Sequence, residues 1–276
     1  MSIKSFLARG IDYIFNGIPN ITVSANISYL SPNQRLHGKK IIITGGGKGL
    51  GLSMAKKFIS EGAIVLIAGR NEETLMKTAK DLNCKYLTLD VQDINSFDKF
   101  IYDAYSLLGK IDCLVNNAGV SLHEGNFRNV SEEQFNTQVN TNLRGSYFLT
   151  QKFVKLYEEN NQDNGKLLFI SSERGITVDD IPYGLTKVAI NSLVQGLATK
   201  LISKGIRVNA IAPGVTVSDM TGYKSMENLY LPYNITKRVY LPEEVAEIAC
   251  FLLSDAANIL NGQILVCNEG KTINSK

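Results

Sequence analysis

A tyrosine and a lysine four residues apart, Tyr183 and Lys187, are the side chains of this sequence best suited to proton transfer. In a helix this spacing puts both side chains on one face, one turn from each other. A lysine charge beside a phenol favours the phenolate and lowers the phenol pKa from about 10 toward neutrality, where the group can donate and accept protons. Any amphipathic helix can carry this pair without chemistry, so its meaning depends on the elements that position it.

The composition is that of an ordinary globular chain. Its 276 residues carry a formal net charge of +3 with acids and bases well mixed, which gives no electrostatic case for a nucleic-acid partner. The cysteines lie far apart without a C-x-x-C or Cys/His cluster, so we expect no metal site. They are Cys84, Cys113, Cys250 and Cys267. Buried free thiols fit a reducing, cytoplasmic compartment, and no apolar run reaches the roughly 18 residues of a membrane-spanning helix.

The sequence predicts two regions, an N-terminal extension over 1–38 and one domain over 39–276. Apolar residues in the extension recur at helical spacing and predict a short amphipathic helix. These residues are Ile3, Phe6, Leu7, Ile11, Ile14 and Phe15. The part after Gly17 is punctuated by Asn, Ser and Pro and is typical of a linker or arm. We favour a helix that packs on its own domain or on a partner subunit; contact with a membrane surface is the alternative.

From Lys40 onward, short apolar strands alternate with helical sequence. The predicted strands begin near residues 41, 64, 86, 111, 166, 206 and 263, and helical sequence joins each to the next. This alternation predicts an α/β domain, a single doubly wound and mostly parallel sheet with helices on both faces. Functional groups in such a sheet collect at the carboxyl ends of the strands.

A glycine-rich turn follows the first predicted strand and leads into a helix. In this context backbone N–H groups and the helix N-terminus can hold a pyrophosphate, and glycines let the anion approach closely. A tight turn without a ligand is the alternative, and the flanking strand and helix favour binding. The predicted contacts are Gly45, Gly47, Lys48, Gly49, Leu50 and Gly51.

The second strand indicates which dinucleotide the turn would hold. It ends at Arg70, and no acidic residue at 68–70 is present to bond a ribose 2′-hydroxyl. Arg70 and Lys48 suit a 2′-phosphate, so NADP (NADPH) is predicted over NAD. A solvated surface arginine is the alternative interpretation of Arg70. Asp90, at the end of the third strand, is placed to meet the adenine.

Three further features concern the substrate side. A helix with Ser131 as its predicted N-cap puts Asn142 on an apolar face, where the amide needs a hydrogen-bond partner. The aromatic-rich residues 215–240 are a candidate substrate lid. Asp179 and Asp180, close to Tyr183, either select a polar or cationic substrate or are solvated loop acids, and we favour the solvated interpretation.

Taken in order, these motifs resemble the classical short-chain dehydrogenases/reductases over about 39–270. The resemblance is carried by Thr44–Gly51, Asp90, Asn116-Asn117-Ala118-Gly119, Asn142-Leu143-Arg144-Gly145, Ile170-Ser171-Ser172, Tyr183 with Lys187, and Ile206-Arg207-Val208-Asn209 with Pro213-Gly214. It implies a Rossmann fold, a nicotinamide cofactor, hydride transfer between a carbonyl and an alcohol, and a homotetramer or homodimer.

The resemblance also implies site roles. The family's catalytic tetrad falls on Asn142, Ser172, Tyr183 and Lys187. Tyr183 would pass the proton, Lys187 would lower the tyrosine pKa and bond the nicotinamide ribose, and Ser172 would orient the substrate oxygen. Asn142 would hold a water that links Lys187 to solvent. The remaining cofactor contacts that it implies are Asp90, Val91, Asn117, Ala118, Gly119, Pro213, Gly214, Val215 and Ser218.

The sequence departs from the family pattern in three places. Ten residues separate Ser172 from Tyr183, two fewer than is usual in the family, and they include charged residues. We choose Ser172 over Ser171 because the Ser-x-x-Gly spacing is kept. Ser218 replaces the usual threonine after Pro-Gly, and Asn-Glu-Gly at 268–270 replaces the usual Asp-Gly-Gly.

The sequence therefore predicts a cytoplasmic, NADP(H)-dependent carbonyl reductase or alcohol dehydrogenase that acts on a small molecule. Candidate substrates include 3-oxoacyl thioesters, sugars, steroids and other small ketones. Two alternatives stay open: a nucleotide-binding regulatory module without turnover, and a relative that works as a nucleotide-sugar epimerase or dehydratase.

Overall fold

A computed structural model describes residues 33–224 and 228–273 of the chain. The amphipathic helix that we expect over residues 3–15 lies outside the described residues, as does Met226 of the candidate lid. No helix in the described ranges is both long and apolar enough to cross a membrane.

Seven parallel strands form one sheet in the described part of the chain. They are β1 (Lys40–Thr44), β2 (Ile64–Gly69), β3 (Lys85–Thr88), β4 (Cys113–Asn116), β5 (Gly165–Ile170), β6 (Ile206–Pro213) and β7 (Ile264–Cys267). Their order across the sheet is β3-β2-β1-β4-β5-β6-β7, and every pairing is parallel. The order reverses between β1 and β4, and ligands of such sheets bind at that switch point. The predicted fold class is confirmed.

Helices cover both faces of the sheet. They are α1 (Gly49–Ser60), α2 (Glu72–Leu82), α3 (Phe97–Leu108), α4 (Glu132–Gln138), α5 (Ser146–Glu159), α6 (Pro182–Leu201) and α7 (Pro242–Leu253). One core layer packs α1, α2 and α7 on the sheet, and the other packs α3, α5 and α6. Residues 41–43 of β1 are fully buried, which explains why the central strands are continuous apolar runs rather than alternating ones.

The long helix expected from Ser131 is divided into three parts. Ser131 is the N-cap as predicted, in a capping box with Gln134, in which each side chain accepts from the other residue's N–H, at 3.2 and 2.9 Å. A π-helical stretch, Val139–Gly145, then separates α4 from α5. Gly145 packs so close to Val91 that an added Cβ would lie 2.2 Å from the Val91 carbonyl oxygen. Such π-helical turns recur at functional sites, and this one carries Asn142.

Residues 33–38 contact the domain directly. Leu36 has no exposed surface, and its N–H donates to the Glu61 carbonyl at 3.0 Å. Arg35 bridges Glu61 at 2.5 Å and Glu247 at 2.9 Å, and thereby links the end of α1 to α7. The division of the chain at 38/39 stays a prediction.

The described part of 215–240 has no helix or regular strand. Isolated bridges pair Thr216 with Tyr240 and Tyr230 with Arg238. A small apolar cluster of its own, around Val217, Leu231 and Val239, holds the segment together. The segment leaves the sheet at the carboxyl end of β6, and its first residues face the cleft described next.

Candidate active site

The glycine turn between β1 and α1 has the geometry of an anion cradle. Gly45 has a positive φ of 67°, and an added Cβ at Gly51 would lie 2.1 Å from the Gly45 carbonyl oxygen. Lys48, the N-cap of α1, makes no side-chain cap, and the first turn contains no acidic residue. The first-turn N–H groups and the positive end of the helix therefore stay available, which fits a bound pyrophosphate.

Hydrogen bonds fix the glycine turn to the segment after β4. The Thr44 hydroxyl accepts from the N–H groups of Asn117 and Ala118, both at 3.0 Å. The Asn117 amide donates back to the Thr44 and Gly45 carbonyls at 2.8 and 3.2 Å. The two walls of the cleft at the switch point are thus held at a fixed separation.

A cavity of about 720 Å³ opens at the carboxyl ends of the strands. It brings together most of the residues predicted from the sequence. The predicted residues that line it are Gly45, Gly47, Lys48, Gly49, Leu50, Gly51, Arg70, Asp90, Val91, Asn117, Ala118, Gly119, Ser172, Tyr183, Lys187, Pro213, Gly214 and Ser218.

Two predicted residues lie off the cavity wall. The Val215 carbonyl accepts from the N–H of Tyr240 at 2.9 Å, so this residue anchors the segment after β6. Asn142 lies behind Gly119, where an added Cβ would be 3.3 Å from the Asn142 Oδ1. Its amide supports the wall rather than forming it.

The two cations predicted to meet a 2′-phosphate differ in their surroundings. Arg70 is exposed at the rim, and no acidic side chain in the described ranges pairs with it. Lys48 pairs with Asp219 at 2.8 Å, and both side chains are mostly exposed, at 73% and 80%. An exposed pair contributes at most about 1 kcal/mol, so a phosphate can compete with Asp219 for this ammonium.

Tyr183 and Lys187 come together as their spacing predicts. The Lys187 ammonium lies 5.6 Å from the centre of the Tyr183 ring and donates to the carbonyl of Ile170 at 2.8 Å. Burial lowers the pKa of Lys187 to about 8. This lysine is therefore positioned by the last residue of β5 and titrates close to neutrality.

The Tyr183 pKa differs from the sequence-based expectation. Desolvation raises the Tyr183 pKa above its usual value, and the nearby Glu173 charge adds to that. The Ser172 side chain and the Arg174 charge lower the pKa but do not cancel the rise. Lys187 is not among the groups that lower the Tyr183 pKa here, so the net lowering of this pKa that the sequence predicts is not found in this structure.

The two candidate serines have different surroundings. The Ser171 hydroxyl donates toward the backbone carbonyl of Lys187 at 3.4 Å, within the protein. The Ser172 hydroxyl accepts from the N–H of Arg174 at 3.2 Å, and the Ser172 side chain lowers the pKa of the Tyr183 phenol. Ser172 is therefore the serine whose hydroxyl and the phenol can meet the same substrate oxygen.

Asn142 has the partners that a buried amide needs. Its Oδ1 accepts from the N–H of Val120 at 2.8 Å, and its Nδ2 donates to the Val120 carbonyl at 2.9 Å. Nδ2 also lies 3.3 Å from the Thr186 hydroxyl, which in turn donates to the Tyr183 carbonyl at 2.7 Å. The π-helical stretch is thereby connected to the helix that carries Tyr183 and Lys187.

Several polar residues of the cavity wall are not predicted from the sequence. They are Gln92, Ser121, Thr137, Thr141, Thr216, Asp219 and Thr221. They are single polar residues in loops or in the helical segment 132–145, without a spacing that could distinguish them from solvated positions.

The expectation that Asp179 is a solvated loop acid is wrong. Its side chain is only 2% exposed and pairs with Arg174 at 2.5 Å, so it is not a solvated loop acid. Asp180 is exposed. Sequence spacing gave no sign that the two neighbouring aspartates would differ.

Metal ligands do not gather anywhere in the described ranges, where no group of three His, Cys, Asp or Glu side chains could hold an ion. Each of the four cysteines is a free thiol. Burial raises the pKa of Cys113 to about 12, which leaves that thiol unreactive.

A doubly wound sheet with an anion cradle at its switch point, and with a serine, a tyrosine and a lysine at the other end of the same cavity, defines a Rossmann-fold oxidoreductase. Residues 45–272 match the family model described as enoyl-(acyl carrier protein) reductase. The chain belongs to the classical short-chain dehydrogenase/reductase family, as its motifs predicted.

Two relatives support the same family. A 3-oxoacyl-[acyl-carrier-protein] reductase from Aquifex aeolicus is 31% identical over 246 residues, covering 86% of this chain and 98% of that protein. A 3alpha-hydroxysteroid dehydrogenase from Mediterraneibacter gnavus is 34% identical over 242 residues, covering 83% of this chain and 95% of that protein.

A solved structure gives the same result in three dimensions. A 3-ketoacyl-(acyl-carrier-protein) reductase from Brucella melitensis, complexed with NADH, matches with a TM-score of 0.80 and 30% identity. The match covers 86% of this chain and 99% of that one.

Proposed function

We propose that the protein is an NADP(H)-dependent oxidoreductase that interconverts a carbonyl and an alcohol, with Tyr183 passing the proton. The observation that carries the proposal is that one and the same cavity contains both the anion cradle with Arg70 and the pair Ser172–Tyr183. A dinucleotide that lies along this cavity would have its adenine near Arg70 and its nicotinamide near Ser172 and Tyr183.

The cofactor proposal depends on the cleft and on relatives. A nicotinamide dinucleotide supplies the hydride when bound. The glycine turn would hold its pyrophosphate, and Arg70 with Lys48 would hold the 2′-phosphate. The Brucella melitensis relative was solved with NADH, so the preference for NADPH in this chain depends on the two cations alone.

The chain's own residues account for the proton. Ser172 would donate a hydrogen bond to the substrate oxygen and hold it beside the phenol. Because its pKa is raised, Tyr183 is protonated at neutral pH and can donate to an oxygen that becomes an alkoxide. This favours reduction of a carbonyl at pH 7. Lys187, with a pKa of about 8, can return a proton to the phenol by way of water.

The location, the assembly and the substrate class stay predictions. The cytoplasmic location, the homotetramer or homodimer, and a small-molecule ketone or alcohol as the partner are proposals that the family supports. Named relatives that act on 3-oxoacyl and steroid substrates make these two classes the first to screen.

The proposal is tested with Tyr183→Phe and a matched tyrosine variant. Loss of the phenol hydroxyl removes the proton donor, so kcat for ketone reduction by NADPH should fall by about 10²- to 10⁴-fold. NADPH affinity should change little, because the cradle is intact. Tyr157→Phe is the control, since Tyr157 is a buried tyrosine packed on Phe153, away from the cavity.

Binding and turnover separate the alternatives. If wild type binds NADPH but turns over no ketone, diketone or quinone, the regulatory module is favoured. Equal kcat values in wild type and Tyr183→Phe would overturn the role given to the tyrosine.

A further inference from the structure

Ser172 and Tyr183 stand at the two ends of a loop, residues 173–182, and one ion pair spans that loop. The Arg174 guanidinium donates twice to the Asp179 carboxylate, from Nε to Oδ2 at 2.5 Å and from Nη2 to Oδ1 at 2.6 Å. The Asp179 side chain is 2% exposed and that of Arg174 is 43% exposed. Two parallel hydrogen bonds fix orientation as well as distance.

The arginine end of this pair holds the serine. The backbone N–H of Arg174 donates to the Ser172 hydroxyl oxygen at 3.2 Å. That oxygen keeps its proton free to donate toward the cavity. Displacement of Arg174 would therefore move the serine hydroxyl directly.

The aspartate end holds the helix that carries the tyrosine. Asp179 Oδ1 accepts from the N–H of Ile181 at 3.2 Å, one residue before α6 begins. Its Oδ2 lies against Gly184, where an added Cβ would be 1.9 Å away. Ile181 offers no side-chain cap to α6, so the Asp179 carboxylate supplies the negative charge at this helix N-terminus.

We propose that Arg174 and Asp179 are positioning residues, a clamp that sets the distance between the Ser172 hydroxyl and the Tyr183 phenol. This inference rests on the proposed function, since it names what holds that pair in register. It also explains how the loop is two residues shorter than is usual in the family and still presents both groups to one cavity. In the shortened loop, the Arg174–Asp179 ion pair fixes the positions of the two ends.

Charge gives the clamp a second effect on the phenol. The charged groups that face Tyr183 are Arg174 and Glu173 from the loop and Lys187 from α6. Arg174 lowers the Tyr183 pKa and Glu173 raises it. A variant without the Arg174 charge should therefore titrate the phenol at higher pH.

The test compares Arg174→Gln, Arg174→Lys and Asp179→Asn with the control Arg35→Gln. The control is matched, because Arg35 is 31% exposed and pairs with Glu61, which is 2% exposed, at a site away from the cavity. It reports the effect of losing a half-buried arginine on stability alone. Thermal unfolding, NADPH affinity and kcat are measured for each folded variant.

A clamp predicts a loss of kcat that the control does not show. We expect kcat to fall by about tenfold or more in all three clamp variants, since a small misplacement of reacting groups is costly, with NADPH affinity close to that of wild type. Arg174→Lys retains the charge and loses the two-point contact, so it should lose kcat without a change in the pH profile. Arg174→Gln should lose kcat and move the Tyr183-dependent limb to higher pH.

An NMR titration of the Tyr183 ring, assigned with Tyr183→Phe, tests the charge without any turnover. The midpoint should rise in Arg174→Gln and should stay at the wild-type value in Arg174→Lys and Arg35→Gln. Wild-type kcat in the folded Arg174→Gln and Asp179→Asn variants would overturn the clamp, and an unmoved Tyr183 midpoint in Arg174→Gln would overturn the charge effect of Arg174. Inactivity of wild type with an NMR midpoint that does rise would instead contradict the proposed function and leave the contact between Arg174 and Tyr183 standing.

Discussion

Two buried lysines form hydrogen bonds at opposite ends of β5, and of these two only Lys187 lines the cavity. Lys187 reaches the carbonyl of Ile170, the last residue of β5, whereas Lys166, near the start of β5, donates to the carbonyl of Ser254. Burial lowers the pKa of each to about 8. The lowered pKa of Lys187 can serve proton return, and that of Lys166 is a cost of folding.

The unfavourable burial of the Lys166 ammonium predicts how the stability of the fold changes with pH. Lys166 has a pKa of about 8 in the folded chain against 10.5 for the ordinary group. Below pH 8 both states carry the proton. Between pH 8 and 10.5 the unfolded state binds more protons, so the contribution of Lys166 to the free energy of unfolding rises with pH, by on the order of 3 kcal/mol.

Urea unfolding of wild type and Lys166→Met at several pH values measures this contribution. The difference in unfolding free energy, wild type minus variant, should increase from pH 8 to 10.5. Lys99→Met, whose parent side chain is 82% exposed, is the control and should give no increase of this size. A difference that stays flat for Lys166→Met would contradict the effect of burial.

Residue types could be predicted at this scale, and residue environments could not. Tyr183, Lys187 and Ser172 followed from spacing and resemblance, because a helix fixes which residues share a face. The direction of the Tyr183 pKa shift did not follow from the sequence, because desolvation depends on packing by distant segments. Asp179 was misread for the same reason, because its arginine partner becomes visible only in the folded loop.

The glycine turn shows how one element can require a residue type. Gly51 lies in the first turn of α1 with no space for a methyl group, as the Gly45 carbonyl and the Asn117 amide would lie 2.1 and 2.7 Å from an added Cβ. Gly196, in α6, has nothing within 4 Å of its added Cβ. Both positions are helical, and the space around an added methyl group differs between them.

Matched Gly→Ala variants should have opposite effects. Gly51→Ala should lower stability and weaken nucleotide binding, because the turn must open to admit the methyl group. Gly196→Ala should raise the unfolding free energy by about 0.5 to 1 kcal/mol, as expected for an exposed helix interior. Thermal unfolding and nucleotide titration of both variants measure this. A Gly51→Ala protein with wild-type stability and binding would contradict the close packing of the turn.

Strongly patterned elements were predictable, and irregular ones were not. The helix Pro242–Leu253 carries local signals at its start, a proline and acidic residues in the first turn. The π-helical stretch Val139–Gly145 was missed, since Gly145 packs against Val91, a contact between distant parts of the chain. Residues 215–240 gave no period, and the segment folds around its own small cluster.

At the scale of the whole molecule, the sheet order decides where function lies. The reversal between β1 and β4 opens the cleft, and the carboxyl ends of β1, β2, β5 and β6 bring the cradle, Arg70 and Ser172 to one cavity. Alternation of strands and helices was enough to predict this arrangement. The nature of the substrate was not predictable, because the residues that would contact it come from loops without a pattern.

The central claim is that this cavity is built for NADPH, and titration of NADPH and NADH on wild type, Arg70→Ala and Lys80→Ala tests it most directly. Lys80 is an exposed lysine in the last turn of α2 and controls for loss of surface charge. We predict that wild type binds NADPH more tightly than NADH by about tenfold or more, as charge-assisted hydrogen bonds to a phosphate allow. The preference should collapse in Arg70→Ala and persist in Lys80→Ala. Tighter binding of NADH, or a preference that survives in Arg70→Ala, would contradict the role of the second-strand arginine, and no binding of either nucleotide would contradict the proposed oxidoreductase activity itself.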